Sequence, residues 1–376
     1  MPYSSILPRR YLSTSVPAQK RAGGTTAKEL SKLYEKKSPV EHVLLRPDSY
    51  IGSTHEKTAE LWVQKEGGEG MERKQVQYVP GLLKIFDEIL VNAADNKQRD
   101  PFGTTEVRVD ICPESGTISI ANDGACVPTV IHTDEQIPIP ELVFGHLLTG
   151  SNFDDKAKKV TGGRNGYGAK LANIFSKEFS VDILDSSRGV RYTQTWRDHM
   201  GERGEPAITA LEEGKGEARS WTKVTFTPDL SLFGLSSLQG TDVLRLMQRR
   251  AVDLAGTNQD LRVTLNGDAI DLDFEKYVSL YPVHKEGGAE REEGWIRRRI
   301  NNRWQLAVGT SEDGHFHHVS FVNSINTPRG GTHVNYIADQ LSNAIATKLC
   351  RRHRGLNLQV SSKVSSLLMA SHSIFN

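Results

Sequence analysis

The sequence predicts an α/β (α+β) chain: a sandwich with a mixed sheet over residues 29–266, then a second, smaller α/β unit over residues 267–376. Three observations predict it. Apolar residues alternate in Val107–Ile111 and again in Ile118–Ile120, two strands joined around Pro113–Gly116. Leu82, Ile85, Phe86, Ile89 and Ala93 recur at helical spacing and make one apolar face. Beyond Asn266-Gly267, Trp304–Val308 and His318–Val322 read as strands and Tyr336–Leu349 as a helix. A chain of 376 residues with 37% hydrophobic content is long enough for two such units.

Residues 1–28 stand apart. They contain Arg9, Arg10, Lys20, Arg21 and Lys28, several Ser and Thr, and no acid. Two readings fit, a transit peptide and a disordered basic tail. Gly67–Gly70 and Glu212–Gly216 are polar, glycine-bearing loops inside the first unit.

The segment 160–170, Val-Thr-Gly-Gly-Arg-Asn-Gly-Tyr-Gly-Ala-Lys, packs four glycines, an arginine and a lysine into eleven residues and runs into Leu171–Ser176, a plausible helix. Such a loop presents bare backbone N–H groups and a helix N-terminus to an anion, and glycine allows close approach and positive φ. It is a candidate triphosphate cradle, although the P-loop pattern G-x-x-x-x-G-K-S/T is absent. A plain turn is the alternative.

On the helix of residues 82–97, Glu88, Asn92 and Asp95 or Asn96 share a polar face. Glu88 suits the deprotonation of a water, and Asn92 suits Mg²⁺, which prefers oxygen donors. A solvated face fits the same pattern. Asn122-Asp-Gly124 reads as a turn ending the second strand, with an Asn or Asp side chain able to meet a purine amino edge. Phe144–Asn152, with Asp154 and Asp155, offers hydroxyl and amide groups for a ribose or phosphate, or a flexible lid.

Taken in order, these segments resemble the Bergerat-type (GHKL) ATPases, which include chaperones, mismatch-repair proteins and histidine kinases. The finer resemblance is to the ATPase region of eukaryotic type II DNA topoisomerases. It rests on Glu41–Gly52 (E-H-x-L-L-R-P-D-x-Y-I-G), on Asp87–Pro101 without a mismatch, on Val160–Lys170, and on Ser320–Val334 (S-F-V-N-S-I-x-T-x-x-G-G-x-H-V). It covers roughly residues 29–376. The implied fold is a two-layer GHKL sandwich followed by a transducer domain of ribosomal protein S5 domain 2-like fold, truncated at its C-terminus.

The resemblance implies roles for single residues. Glu88 resembles the general base, Asn92 the Mg²⁺ ligand and Asn96 a second phosphate or nucleotide-side contact. Asn122 resembles the adenine-side position, and Thr222 the floor-strand threonine beside it. Ser151 and Asn152 match ribose or phosphate contacts. Arg164, Asn165, Gly166, Tyr167, Gly168, Ala169 and Lys170 match the phosphate-wrapping lid, and Tyr34 an N-terminal strap reaching a partner protomer. The implied cofactors are ATP and Mg²⁺, and the implied partners are double-stranded DNA and a second copy of the chain. The implied activity is that of the N-gate: ATP binding dimerises the region and captures DNA. The implied compartment is the nucleus, with the mitochondrion as the alternative from residues 1–28.

Departures from the family pattern carry their own expectations. Cys126 replaces the second glycine of N-x-G-x-G-I-P and is expected to crowd the adenine pocket, and Gly150 stands where serine is common. Lys363–Asn376 is more serine-rich than the pattern, and the sequence ends before the lysine that reaches the γ-phosphate. The chain alone is therefore expected to be at most a weak ATPase, without the cleavage core. A stand-alone nucleotide-dependent dimerisation module, or an inactive gene fragment, is the alternative reading.

The net charge of +1 gives no global nucleic-acid signal. Local basic clusters, Arg297–Arg299 with Arg303 and Arg351–Arg354, fit a DNA passage or plain solvated surface. Cys112, Cys126 and Cys350 show no metal spacing and no disulfide framework, as expected in a reducing compartment. No apolar run approaches a membrane span.

Overall fold

The computed structural model describes residues 36–376 except 69, 148, 150–165, 212–218, 284–293, 302–303, 354–366 and 373–376. The chain divides into Met1–Ser38 and Pro39–Asn376, and the architecture below is that of the second unit. Residues 1–28 and the loop 212–216 lie outside the described residues.

In chain order, helix α1 (Pro39–Leu45) precedes the hairpin β1 (Lys57–Gln64) and β2 (Met71–Tyr78). Helix α2 (Pro80–Arg99) follows, then β3 (Glu106–Ile111), β4 (Ile118–Asp123), α3 (Ile139–Gly145) and α4 (Gly168–Ile174). Next come β5 (Ser176–Asp185), β6 (Val190–Arg197), β7 (Glu202–Arg203), β8 (Ala207–Ala210), β9 (Trp221–Pro228), α5 (Asp242–Thr257), β10 (Arg262–Leu265) and β11 (Asp268–Ile270). The last elements are α6 (Phe274–Ser279), β12 (Trp295–Arg299), β13 (Trp304–Gly309), β14 (His317–Val322), β15 (Ile325–Asn326), α7 (Thr332–Arg352) and β16 (Leu367–His372).

The main sheet has nine strands in the order β11-β10-β3-β4-β9-β5-β6-β7, with β8 beside β6. It is mixed: β10 runs parallel to β3 and the other pairs are antiparallel. In β9, Thr222, Val224 and Phe226 are buried while the residues between them are partly exposed, the period of a sheet with one covered face. Helix α2 lies on the covered face and opens on Pro80, whose missing N–H costs nothing there. Its predicted apolar face is buried, and so are Leu83, Leu90 and Ala94, because α4 and α5 also pack on it.

A second sheet, β12-β13-β16-β14-β15, carries its own core of Phe274, Tyr277, Tyr281, Trp295, Ala307, Val319 and Phe321. Met71 of β2 and Val252 of α5 join that core. Strand β16 was not foreseen in the serine-rich end of the chain; it pairs antiparallel with β13 and parallel with β14.

Three sequence boundaries move. Asn266 and Gly267, at φ 51° and 88°, form the tight turn of the β10–β11 hairpin, so the first sheet continues to Ile270. Asn122 and Asp123 belong to strand β4 rather than to a turn, because β4 pairs along its full length with β9; the bend begins at Gly124. The helix after the glycine-rich loop ends at Ile174, and Ser176 already opens β5. Among the described residues no helix is long and apolar enough to cross a membrane.

Candidate functional site

Helix α2 spans the covered face of the sheet, and its polar residues point to three different surroundings. Glu88, at mid-helix, is paired with Lys84 one turn earlier. That ion pair was missed, although the i, i+4 spacing displays it. Asn92 is half-buried and makes no side-chain hydrogen bond among the described residues, which leaves its amide oxygen available to a hard cation. Asn96 is buried, and its Nδ2 donates to Thr104 Oγ1 at 3.0 Å and to the Asp123 carbonyl at 3.3 Å. Asp95 is fully buried as well. The solvated-face alternative therefore fails for the last turn of this stripe.

The floor of the site is formed by β4 and β9. Asn122 and Thr222 are direct cross-strand partners, on the same side as Ile120 and Val224 respectively at the next core positions. Thr222 is buried, yet its Oγ1 has no hydrogen-bond partner among the described residues. A buried orphan hydroxyl is costly, and a ligand donor or acceptor beside it would remove that cost. Asn122 Nδ2 donates to the Asp123 carbonyl at 2.9 Å. The Asp123 carboxylate is already engaged: it accepts from the Thr105 and Glu106 N–H groups, each at 2.7 Å, and from Thr105 Oγ1 at 2.6 Å. Of the two side chains considered for a purine edge, the Asp123 carboxylate is held by Thr105 and Glu106, whereas Asn122 uses only its Nδ2 and keeps its amide oxygen unengaged among the described residues.

The end of the glycine-rich loop closes over α2. A Cβ on Gly168 would sit 3.3 Å from Glu88 Cβ and overlap its carboxylate. A side chain at the N-terminus of α4 would force the Glu88 carboxylate, the movable end of that side chain, to turn aside. Gly166 has φ 65°, a conformation that favours glycine. Tyr167 packs on the main core and Ala169 is buried. Lys170 is 2% exposed, and its Nζ donates to the Gly166 carbonyl at 2.6 Å and the Thr149 carbonyl at 2.5 Å. Burial lowers its pKa from 10.5 to about 8. Thr149 Oγ1 in turn donates to the carbonyls of Leu142 and His146, both at 2.7 Å, which ties the loop to α3. Sequence reading counted Thr149 among the hydroxyls of Phe144–Asn152 but did not pair it with Lys170, since nothing local marks it as the lysine's partner.

Cys126 is half-buried beside Asp185 and Ser220, at the same end of the sheet as Asn122 and Thr222. Burial, with the Asp185 carboxylate, pushes its thiol up to about 11. Tyr34, Ser151, Asn152, Arg164 and Asn165 lie outside the described residues, as do Gly150, Arg303, Arg354 and Lys363.

A family profile described as DNA gyrase B matches residues 270–364. The ATPase and transducer domains of DNA topoisomerase II from Balamuthia mandrillaris superpose with a TM-score of 0.85 at 47% identity, over 91% of this chain and 85% of that one. The chain belongs to the type II DNA topoisomerase family. The ATPase region of Saccharomyces cerevisiae topoisomerase II aligns with it at a TM-score of 0.82 and 44% identity, over 92% of this chain and 87% of that one. The mitochondrial DNA topoisomerase 2 of Dictyostelium discoideum is 42% identical over an alignment of 393 positions, gaps included, which covers 93% of this chain and 30% of that protein. DNA topoisomerase 2 of Arabidopsis thaliana is 46% identical over 349 residues, 91% of this chain and 23% of that protein. The chain thus spans less than a third of these two curated topoisomerases. The fold is the GHKL ATPase with a transducer that the sequence resemblance implied. A more distant likeness, to the 43K ATPase domain of Thermus thermophilus gyrase B, has a TM-score of 0.54 at 19% identity and speaks for the fold alone.

Proposed function

We propose that the chain binds and hydrolyses ATP as the N-gate of a type II DNA topoisomerase, closing as a homodimer around double-stranded DNA to drive strand passage. The observation that carries this reading is the close approach of Gly168, in the loop read as wrapping the phosphates, to Glu88 of α2. Glu88 takes a proton from water as its oxygen bonds to the γ-phosphorus and the bond to the β,γ-bridging oxygen breaks, with ADP leaving. Asn92 would hold Mg²⁺, which neutralises phosphate charge. Asn122 and Thr222 take the adenine edge. Gly166, Tyr167, Gly168, Ala169 and Lys170 wrap the phosphates with Arg164 and Asn165. Asn96 supports the nucleotide side through Thr104 and Asp123, Ser151 and Asn152 contact ribose or phosphate, and Tyr34 reaches the partner's nucleotide. The nucleotide-binding domain runs from residue 29 through the first sheet, and the transducer follows it.

The Thr222 hydroxyl and the Asn92 amide, neither with a side-chain partner among the described residues, support a nucleotide with its metal ion. Glu88→Gln in the full chain should retain ATP binding and lose turnover, because an amide takes no proton. Wild-type turnover by that variant would sink the assignment. For the compartment the reading is the nucleus, with the mitochondrion carried by residues 1–28 and favoured by the name of the Dictyostelium relative. A reporter fused to residues 1–28 decides between them by where it accumulates.

A further inference from the structure

An unbroken chain of polar contacts leaves α2 at Asp87, the neighbour of Glu88, and ends in the second core. Asp87 Oδ1 accepts from Arg250 Nε at 3.1 Å. Arg250 Nη1 donates to Asp253 Oδ2 at 3.3 Å, and the other oxygen of Asp253 accepts from the Tyr277 hydroxyl at 2.7 Å. The Tyr277 and Tyr281 hydroxyls are 2.7 Å apart. Arg249 completes the cluster: its Nε lies 3.4 Å from Asp253 Oδ1, and Nη1 donates to the Trp62 carbonyl at 2.5 Å. From there the contacts become aromatic, with Tyr277 edge-on to Phe321 at 6.2 Å and Trp62 edge-on to Tyr281 at 5.2 Å.

The cluster is deeply enclosed. Asp253 is 3% exposed, Arg249 5%, Tyr277 1% and Tyr281 2%. Two carboxylates and two guanidiniums cancel, so the group carries no net charge into the interior, and each carboxylate has donors on it. Replacing a buried charged set of this kind by apolar residues of similar volume often costs no stability. What the polar set adds is direction, since its hydrogen bonds admit few geometries and stiffen one another. The close approach is also built into the backbone. A Cβ on Gly256 would overlap the Tyr277 ring, so α5 accepts that ring only because residue 256 is glycine.

We propose that Asp253 is a positioning residue for Glu88, passing the placement of the second sheet to the nucleotide site through Arg250 and Asp87. The proposal rests on the ATPase reading above. Any shift of α6 against α5 moves the Tyr277 hydroxyl, which turns the Asp253 carboxylate and with it Arg250. Asp87 follows, and the turn of α2 that carries Glu88 rotates relative to the lid.

Tyr277→Phe tests this in the full chain, because it removes one hydroxyl and no charge. Turnover is measured per nucleotide site titrated by binding, so that a misfolded fraction does not count. The expected result is a kcat lowered roughly 3- to 30-fold with KM changed by no more than about twofold. A role confined to folding would instead lower the melting temperature and leave kcat per site unchanged, and that result overturns the proposal. Asp87→Asn with Tyr277→Phe supplies a second measurement, free of nucleotide. Their side chains do not touch, so chemical-unfolding shifts that fail to add support the link, and additive shifts count against it. Asp253→Asn should reproduce the kcat loss wherever it folds. A wild-type chain that binds no nucleotide defeats the ATPase reading and this proposal together, whereas a wild type that turns over with Tyr277→Phe equal to it defeats the proposal alone.

Discussion

Gly168 and Glu88 share one space: a Cβ on the glycine would lie 3.3 Å from the Cβ of the acid and overlap its carboxylate. The contact joins the first residue of α4 to the midpoint of α2, eighty positions earlier in the chain. Gly168 does not have positive φ, so a side chain there would act by sterics alone, on the movable carboxylate of Glu88.

Gly168→Ala is therefore expected to displace Glu88 while leaving the loop backbone as it is. Turnover should fall by roughly 100-fold, the lower end of what a general base contributes. Nucleotide affinity, measured by titration calorimetry, should change little. Undiminished turnover would mean that Glu88 can move aside and still act.

Gly166→Ala probes the other demand, conformation. At φ 65° an L side chain is disfavoured by about 1–2 kcal/mol. The Gly166 carbonyl that receives Lys170 Nζ at 2.6 Å would shift with the backbone. ATP affinity should drop roughly 5- to 30-fold, the equivalent of that strain. Unchanged affinity would mean that the loop serves only as a connector.

If Lys170 contacts phosphate as proposed, nucleotide binding should depend on pH. Burial depresses its pKa from 10.5 to about 8, so the fold disfavours the charged form. Below about 8 both folded and unfolded chains hold the proton, and the cost of burying the charge is full. Between about 8 and 10.5 the unfolded chain binds more protons, so this residue makes the fold more stable as pH rises. Affinity for a polyanion runs the other way and should weaken as pH climbs through about 8. Lys170→Met should bind weakly throughout and lack that inflection. A wild-type affinity that is flat across this range would remove Lys170 from the phosphate contacts.

Cys126 yields a labelling order. Its thiol is half-buried and pushed up to about 11, while Cys112 is exposed. A thiol reagent at neutral pH should modify Cys112 first and Cys126 slowly, because thiolate is scarce there. Cys126→Gly should leave ATP affinity unchanged or tighter if the side chain crowds the adenine edge. A clear loss of affinity would show that the thiol packs usefully against the nucleotide site.

Much of this site is local in origin, which is why it could be read ahead of the structure. The α2 stripe follows from the 3.6-residue period, and Leu82, Ile85, Phe86, Ile89 and Ala93 are all buried as that period requires. Asn266-Gly267 marks a hairpin turn by its own backbone preference, but the sequence does not say that the strand after it, β11, stays in the first sheet. Strand β16 was hidden because its serine and histidine residues give no clean alternation, and its pairing with β13 and β14 is supplied by partners more than forty positions away.

By itself the sequence determined which faces are apolar, where glycine is needed, and the family that the motifs resemble. Tertiary structure decided which polar groups remain available to a ligand. Asn96 and Asp123 sit in motif positions like those of Asn92 and Asn122, yet their side chains are bound to Thr104, Thr105 and Glu106. Lys170 looks like any lid lysine until Thr149 and Gly166 enclose it. The route from Asp87 to Tyr277 joins residues nearly two hundred positions apart. Periodicity fixes the direction of a side chain from its own neighbours. What stands opposite is set by how the sheet and helices close, and hydrogen bonds, burial and pKa all depend on that opposing group.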